Sequence, residues 1–260
     1  MSNKGLIITL IVILAIIIIG LIAILVLALN GKIGMFSWFM KKSTNIVFEE
    51  TYDIDLNNLE ILSSAGDVNI KESTDGTIKV VVYGQNADEL KVSLNDNNLK
   101  IDYSEYKNSI FGFNNYINDI IVYIPNNYSK EINIDVNYGK VDITNLESAN
   151  INIKSDCGDI ALGKVNNISL KSSLGDIKID TILNKCDIKS DCGDIKIENL
   201  QIKENSQIKS DLGDIKIGEV NDIYIDAKTD LGEVKVNKNN RHSEITLKLE
   251  NDCGDIKVEE

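Results

Sequence analysis

Proline, arginine, histidine and tryptophan each occur once in these 260 residues, as Pro125, Arg241, His242 and Trp38. A chain with one proline keeps nearly all its backbone N–H groups for strand ladders. The single histidine sits in the polar run NKNNRHSE, which reads as a solvated loop. Four cysteines occur without a CxxC pair, which excludes the common zinc spacings. No GxSxG elbow, phosphate loop or cysteine–histidine pattern is present. These absences assign no catalytic residue, no cofactor and no metal ligand, and the chain reads as a non-enzyme.

Charge is missing altogether from Leu6 to Leu29, where almost every residue is Ile, Leu, Val or Ala. A helix of that length covers the roughly 30 Å hydrocarbon core of a bilayer. The run is longer than a signal-peptide core and LALNGK offers no small-residue cleavage site, so it reads as an uncleaved transmembrane anchor. Phe36, Trp38 and Phe39 beside Lys32, Lys41 and Lys42 have the composition of an interfacial belt. Four of the 27 basic residues precede residue 43, leaving 23 against 40 acidic ones, a formal charge of −17 for the remainder. Such a surface repels nucleic acid and anionic lipid alike and favours solubility.

What the sequence has instead is a repeat. KSDCGDIKI at Lys189–Ile197 returns as KSDLGDIKI at Lys209–Ile217, and KSDCGDIAL and KSSLGDIKI precede them. Aligned on glycine, the copies centre on Gly66, Gly139, Gly158, Gly175, Gly193, Gly213, Gly232 and Gly254, spaced by 17 to 22 residues after the first interval. Such a period indicates a solenoid or an array. Apolar residues recur two and four places after each glycine, as in Ile195 and Ile197, and five places before it, as in Ile188. Period two with β-branched residues places a strand on each side of the glycine.

The pattern predicts an all-β, parallel β-solenoid preceded by one transmembrane helix. Residues 1–30 form the anchor, with the span at 6–29, and 31–45 a juxtamembrane linker. Residues 46–130 form an irregular β region holding the first coil and capping strands, and 131–260 the repeat solenoid. In the irregular part, LKVSLNDNNLKIDYSE reads as a hairpin and Pro125 follows a strand. Glycine is expected at the corner for its access to positive φ, with Ser and Asp bonding nearby backbone N–H groups. The apolar residue just before glycine (Cys157, Leu174, Cys192, Leu212, Leu231, Cys253) is expected to point inward. Coils are expected to stack in chain order, ending at DIKVEE.

Stacking would line up Asp159, Asp176, Asp194, Asp214, Glu233 and Asp255 in one ladder and lysines in others. The interleaved lysines argue for compensated structural ladders rather than a calcium roll, which needs glycine-rich nine-residue repeats. Cys157 and Cys192 would lie two rungs, or about 9–10 Å, apart, too far for a disulfide.

A strand ending VYIP, then INIDVNYGKVDITNL, then serial S-D-x-G-D-I units resembles a bacterial adhesin-domain family of unknown function, which has LiaG-like membrane-anchored members. The resemblance covers roughly residues 46 to 260. It implies a β-solenoid-like ectodomain in the cell envelope, outside the cytoplasm, and carries no catalytic residues with it. Two functions are compatible with this reading. One is a membrane-anchored adhesin, binding or structural module facing an envelope polymer or a membrane-protein partner. The other is a regulatory or scaffold component of an envelope-stress system that acts by self-association. An exposed aromatic stripe at one repeat position would favour the first, and the repeats show none, since Tyr138 and Tyr224 stand isolated; an open terminal coil would favour the second.

Overall fold

The computed structural model describes residues 41–42, 44–84, 87, 89–104, 116–117 and 119–259. The predicted span at Leu6–Leu29 and most of the juxtamembrane segment lie outside the described residues. Among the described residues no helix is long and apolar enough to cross a membrane. The chain divides into two units. Met1–Lys42 with Ser109–Tyr116 form one, of which only Lys41, Lys42 and Tyr116 are described. Ser43–Asn108 with Ile117–Glu260 form the other, and it holds all the repeats.

This second unit is all-β: among its described residues, nineteen strands join one curled, mostly parallel sheet of the solenoid-like kind. Each coil crosses its corner glycine from a leading strand to a trailing strand. The coil around Gly213, for example, leads with Ser206–Leu212 and trails with Ile215–Val220. In earlier coils a trailing strand runs on into the next leading strand, as in Ile160–Ser172 and Ile177–Cys192. Leading strands pair with leading strands and trailing with trailing, in register: Ile188 opposite Ile208 and Ile195 opposite Ile215. Like positions therefore lie over like positions at the roughly 4.8 Å strand spacing.

The alternation in sequence is the alternation in space. Ile195, Ile197, Leu200, Ile208, Ile215 and Ile217 are all at most 1% exposed, while Lys196 and Lys216 between them face solvent. Burying each such side chain is worth roughly 1.5–3 kcal/mol, and no single coil has a second layer of its own to bury against. The core exists only between stacked rungs.

The two ends of the stack are built differently. Beyond the Gly66 coil lies one more rung without a glycine corner: Asn98–Tyr103 pairs parallel with Asn58–Ser63, and Asp119–Ile124 pairs parallel with Val68–Glu72. Antiparallel strands are then added to it. Lys91–Asn95 returns on Asn98–Tyr103 through a tight turn at Asp96 and Asn97, both at positive φ, while Ile78–Tyr83 pairs with Asp119–Ile124 and Ile46–Tyr52 in turn with Ile78–Tyr83. The strand Asp119–Ile124 ends at Pro125.

At the other end the chain does not stack in its own order. Thr246–Cys253 and Ile256–Val258 insert between the Gly213 coil and the Gly232 coil, so the rungs run Gly213, Gly254, Gly232. This corrects the expectation that DIKVEE is the last rung; the terminal rung is Tyr224–Leu231 with Val234–Val236. Two physical reasons favour the insertion. Leu247, Leu249, Ile256 and Val258 are fully buried in the penultimate place, whereas the terminal coil offers the smaller Ala227 opposite Leu249 and Val234 opposite Ile256. Insertion also sets Glu250 between Lys209 and Lys228, with a 3.0 Å pair to Lys228, where chain order would set lysine beside lysine.

Strand polarity can be tested with two adjacent residues. Ile195→Asp should unfold the stack at a much lower denaturant concentration, since an unpaired buried carboxylate costs several kcal/mol. Lys196→Asp should change the midpoint little. Similar midpoints for the two variants would mean that the strand faces are assigned wrongly.

Candidate binding surface

The corner is where rungs touch most closely. Gly193 has φ 130°, and a Cβ placed on it would lie 2.2 Å from the carbonyl oxygen of Gly175 on the neighbouring rung. The same approach recurs at Gly139, Gly158, Gly175, Gly213, Gly232 and Gly254. Gly66 shares the positive φ and accepts that approach from Gly139. All eight sequence-predicted glycines thus form one column. Their N–H groups bond across it: Gly175 to Cys192 O, Gly193 to Leu212 O and Gly213 to Cys253 O, at 2.9–3.0 Å.

The aspartate after each glycine completes the joint. The backbone N–H of Asp194 donates to Asp176 Oδ1 at 3.1 Å, that of Asp214 to Asp194 Oδ1 at 2.9 Å, and that of Asp255 to Asp214 Oδ1 at 2.9 Å. Glu233 N donates to Asp255 Oδ1 in turn, and Asp176 N to Asp159 Oδ1. At the far end, Asp67 N donates to Asp119 Oδ1 and Lys140 N to Asp67 Oδ1. The predicted acidic ladder exists, in the order Asp214, Asp255, Glu233, and its purpose is to cap the next rung's amide. Lysines compensate it only in part. Lys216 reaches Asp214 at 2.9 Å, whereas Lys196 pairs with Glu198 on its own strand. All these pairs are exposed and add little stability.

The serines do not bond the turn. Ser155, Ser172, Ser190 and Ser210 are at most 2% exposed and point inward, with no partner for their hydroxyls among the described residues. They serve as small side chains where the coil narrows toward the corner. The expectation that they hydrogen-bond turn amides is thus corrected.

The residue before glycine also reverses its predicted direction. Leu174 is 42% exposed, Leu212 55%, Leu231 69% and Tyr138 60%, and Cys253 is exposed with Cys157 and Cys192 half-buried. The glycine's positive φ breaks the two-residue alternation, turning the preceding side chain outward over the edge. The bonds across the corner give the column order as Tyr138, Cys157, Leu174, Cys192, Leu212, Cys253, Leu231. It spans about 29 Å at the usual rung spacing. Exposed carboxylates flank it, with Asp156, Asp191, Asp211, Asp252 and Asp230 on the leading side and the capping aspartates on the trailing side. This is an apolar ridge between two acidic rows.

The cysteines are free thiols. Cys192 and Cys253 both neighbour Leu212, two rungs apart from each other. Cys186, which the repeat did not place, is inside the core opposite Ile168, where burial pushes its thiol up to about 12 and makes it unreactive. Arg241 and His242 lie in the exposed turn Asn240–Ser243, where His242 N donates to Asn240 Oδ1. Among the described residues no cluster of His, Cys, Asp or Glu is placed to hold a metal ion.

A second feature is a groove of about 490 Å³ on the outer face of the leading strands, lined in part by Asn133, Asp135, Asn152, Lys154, Ser169, Lys171, Asp187 and Lys189. Lys154 reaches Asp135 at 3.2 Å, and Asn152 Nδ2 donates to Asn133 Oδ1 at 2.9 Å. Its charges nearly cancel and its amides satisfy one another. The ridge, by contrast, leaves Tyr138, Leu174, Leu212 and Leu231 exposed, with the half-buried Cys157 and Cys192 between the first three.

Residues 56–259 match the Toastrack DUF4097 family. No curated protein matches the chain. Among solved structures it is similar to a "putative cell adhesion protein" from Clostridium sporogenes ATCC 15579, at 15% identity and TM-score 0.42, covering 83% of this chain and 99% of that one. A "putative adhesin" from Bacteroides fragilis NCTC 9343 has 15% identity and TM-score 0.36, covering 84% and 98%. A "putative lipid binding protein" from Parabacteroides distasonis ATCC 8503 has 16% identity and TM-score 0.38, covering 83% and 98%.

The capping role of the aspartates has a pH signature. The Asp255 amide and then Lys216 hold the Asp214 carboxyl below its ordinary 3.8. A carboxyl depressed in the folded state stabilises above its unfolded value and loses that contribution as pH falls through the folded one. The thermal midpoint should therefore drop below about pH 4. Asp214→Asn keeps an acceptor oxygen and should soften the drop, while Asp214→Ala should lose about 0.5–1.5 kcal/mol at neutral pH. An Ala variant as stable as the wild type at pH 7 would refute the capping role.

Proposed function

We propose that this chain, which belongs to the Toastrack DUF4097 family, is a membrane-anchored envelope protein whose stacked coils act as a non-catalytic adhesin or binding module. The apolar run at Leu6–Leu29 is the anchor in this reading, and the repeats lie on the extracytoplasmic side. The carrying observation is the ridge: exposed Leu174, Leu212, Leu231 and Tyr138 in one column with carboxylates on both sides. Contiguous exposed apolar surface marks interaction sites. The acidic rows select against nucleic acid and anionic lipid and for a partner that brings apolar and basic side chains together. Ordinary solubility would be served by polar residues at this position, which points away from a role in folding alone.

A second reading, a scaffold of an envelope-stress system that works by assembly, draws on the uncovered terminal rung. It needs no ridge partner and can coexist with the first.

Protease added to intact cells should digest the repeats. In the same cells Leu174→Lys with Leu212→Lys should abolish adherence to the envelope partner while leaving the thermal midpoint almost unchanged, because both side chains are already exposed. Protection of the repeats until lysis would overturn the extracytoplasmic placement. Adherence that survives both substitutions would overturn the ridge.

A further inference from the structure

One end of the stack finishes in added antiparallel strands, and the other in a parallel rung of the repeat itself. Tyr224–Leu231 pairs on one side only, with Thr246–Cys253, and Val234–Val236 only with Ile256–Val258. Val234 is 44% exposed, although Ile256, Ile215 and Ile195 in the same column are buried to within 1%. The outward backbone groups of the leading edge belong to Ile225, Ala227 and Thr229, because Tyr224 N turns the other way, to Ile245 O.

Among the described residues the edge is closed at its start, where Asn240 N donates to Ile223 O at 2.9 Å. The Asn239 side chain accepts from Ile225 N at 2.9 Å and donates to Ile225 O at 2.8 Å, standing in for a strand residue. Beyond it, residues 227–231 take no further strand among the described residues, although Leu231 O already accepts from Gly254 N. That stretch is self-complementary when run antiparallel about Thr229: Thr229 faces Thr229, and Lys228 faces Asp230 twice, once in each direction. Lys228 and Asp230 both lie on the exposed outer face, so opposite residues meet on the same side of the joined sheet. A register centred on Ala227 would place the incoming strand against Asn239. One centred on Lys228 would set Asp226 against Asp230.

We infer that the terminal rung is an interface between two copies of this chain, joined antiparallel about Thr229. Each copy contributes the same stretch to this joint, so the contact is isologous and the assembly closes at two. It rests on the rung order and not on the ridge, and a failure of the ridge experiment leaves it standing.

Full-length protein in detergent, measured by sedimentation, should show a concentration-dependent monomer–dimer equilibrium. Lys228→Asp should weaken the dimer roughly tenfold, since like charges then face each other in both pairs. Lys228→Asp combined with Asp230→Lys should restore it, because the swapped charges face each other again. If Lys228→Asp acted only through its ion pair with Glu250, the second substitution would not rescue. A wild-type chain that stays monomeric at the highest attainable concentration overturns the inference, as does a double variant no tighter than the single one.

Discussion

Everything in this molecule hangs on how closely one rung can approach the next at a single corner. There the backbone of one glycine lies against the carbonyl of the one before it, at a distance that excludes a Cβ. The aspartate that follows caps the amide of its neighbour. Neither device is strong alone; hydrogen bonds contribute about a kcal/mol each. Repeated on every rung, they fix register. Register then stacks isoleucine on isoleucine and closes a core that no single coil could form.

The same constraint writes the surface. Once rungs are locked in register, every outward position becomes a column, and whatever residue type the repeat carries there is multiplied along about 29 Å. A leucine or cysteine before glycine becomes an apolar ridge, and aspartates on either side become its acidic borders. Ends matter for the same reason, because a stack in register presents its last backbone as a ready strand edge. One end finishes in Ile46–Tyr52, Ile78–Tyr83 and Lys91–Asn95. The other, among the described residues, carries the Asn239 side chain, the Asn240 amide and a pair of opposite charges.

Strand faces were legible because period two is a local property: Ile195 in and Lys196 out follow from alternation alone. The corner glycines were legible from their spacing. The direction of Leu212 was not, since an apolar residue at the corner reads as inward, whereas at the strand's last position the side chain lies over the outer edge. The serines misled because their residue type suggests a turn bond, whereas their place two residues after the buried Ile188 and Ile208 puts them on the inner face. Coil order was illegible for a different reason. Every coil carries the same motif, so any coil can pair with any other, and the choice between Gly213–Gly232 and Gly213–Gly254 rests on small differences such as Ala227 against Leu249 and Lys228 against Glu250. The ridge as a candidate site follows from the corner, and could have been found only by asking where the alternation breaks.

The central claim, that contact between rungs at the corner holds the stack together, is tested most directly by comparing two glycines that share positive φ but not the contact. Gly193 (φ 130°) would place a Cβ 2.2 Å from Gly175 O, while Gly76 (φ 80°) would place one in open space. Gly76→Ala should show only the strain of the backbone, about 1–2 kcal/mol. Gly193→Ala should lower the denaturation midpoint far more or prevent folding. Equal midpoints for the two variants would contradict the account.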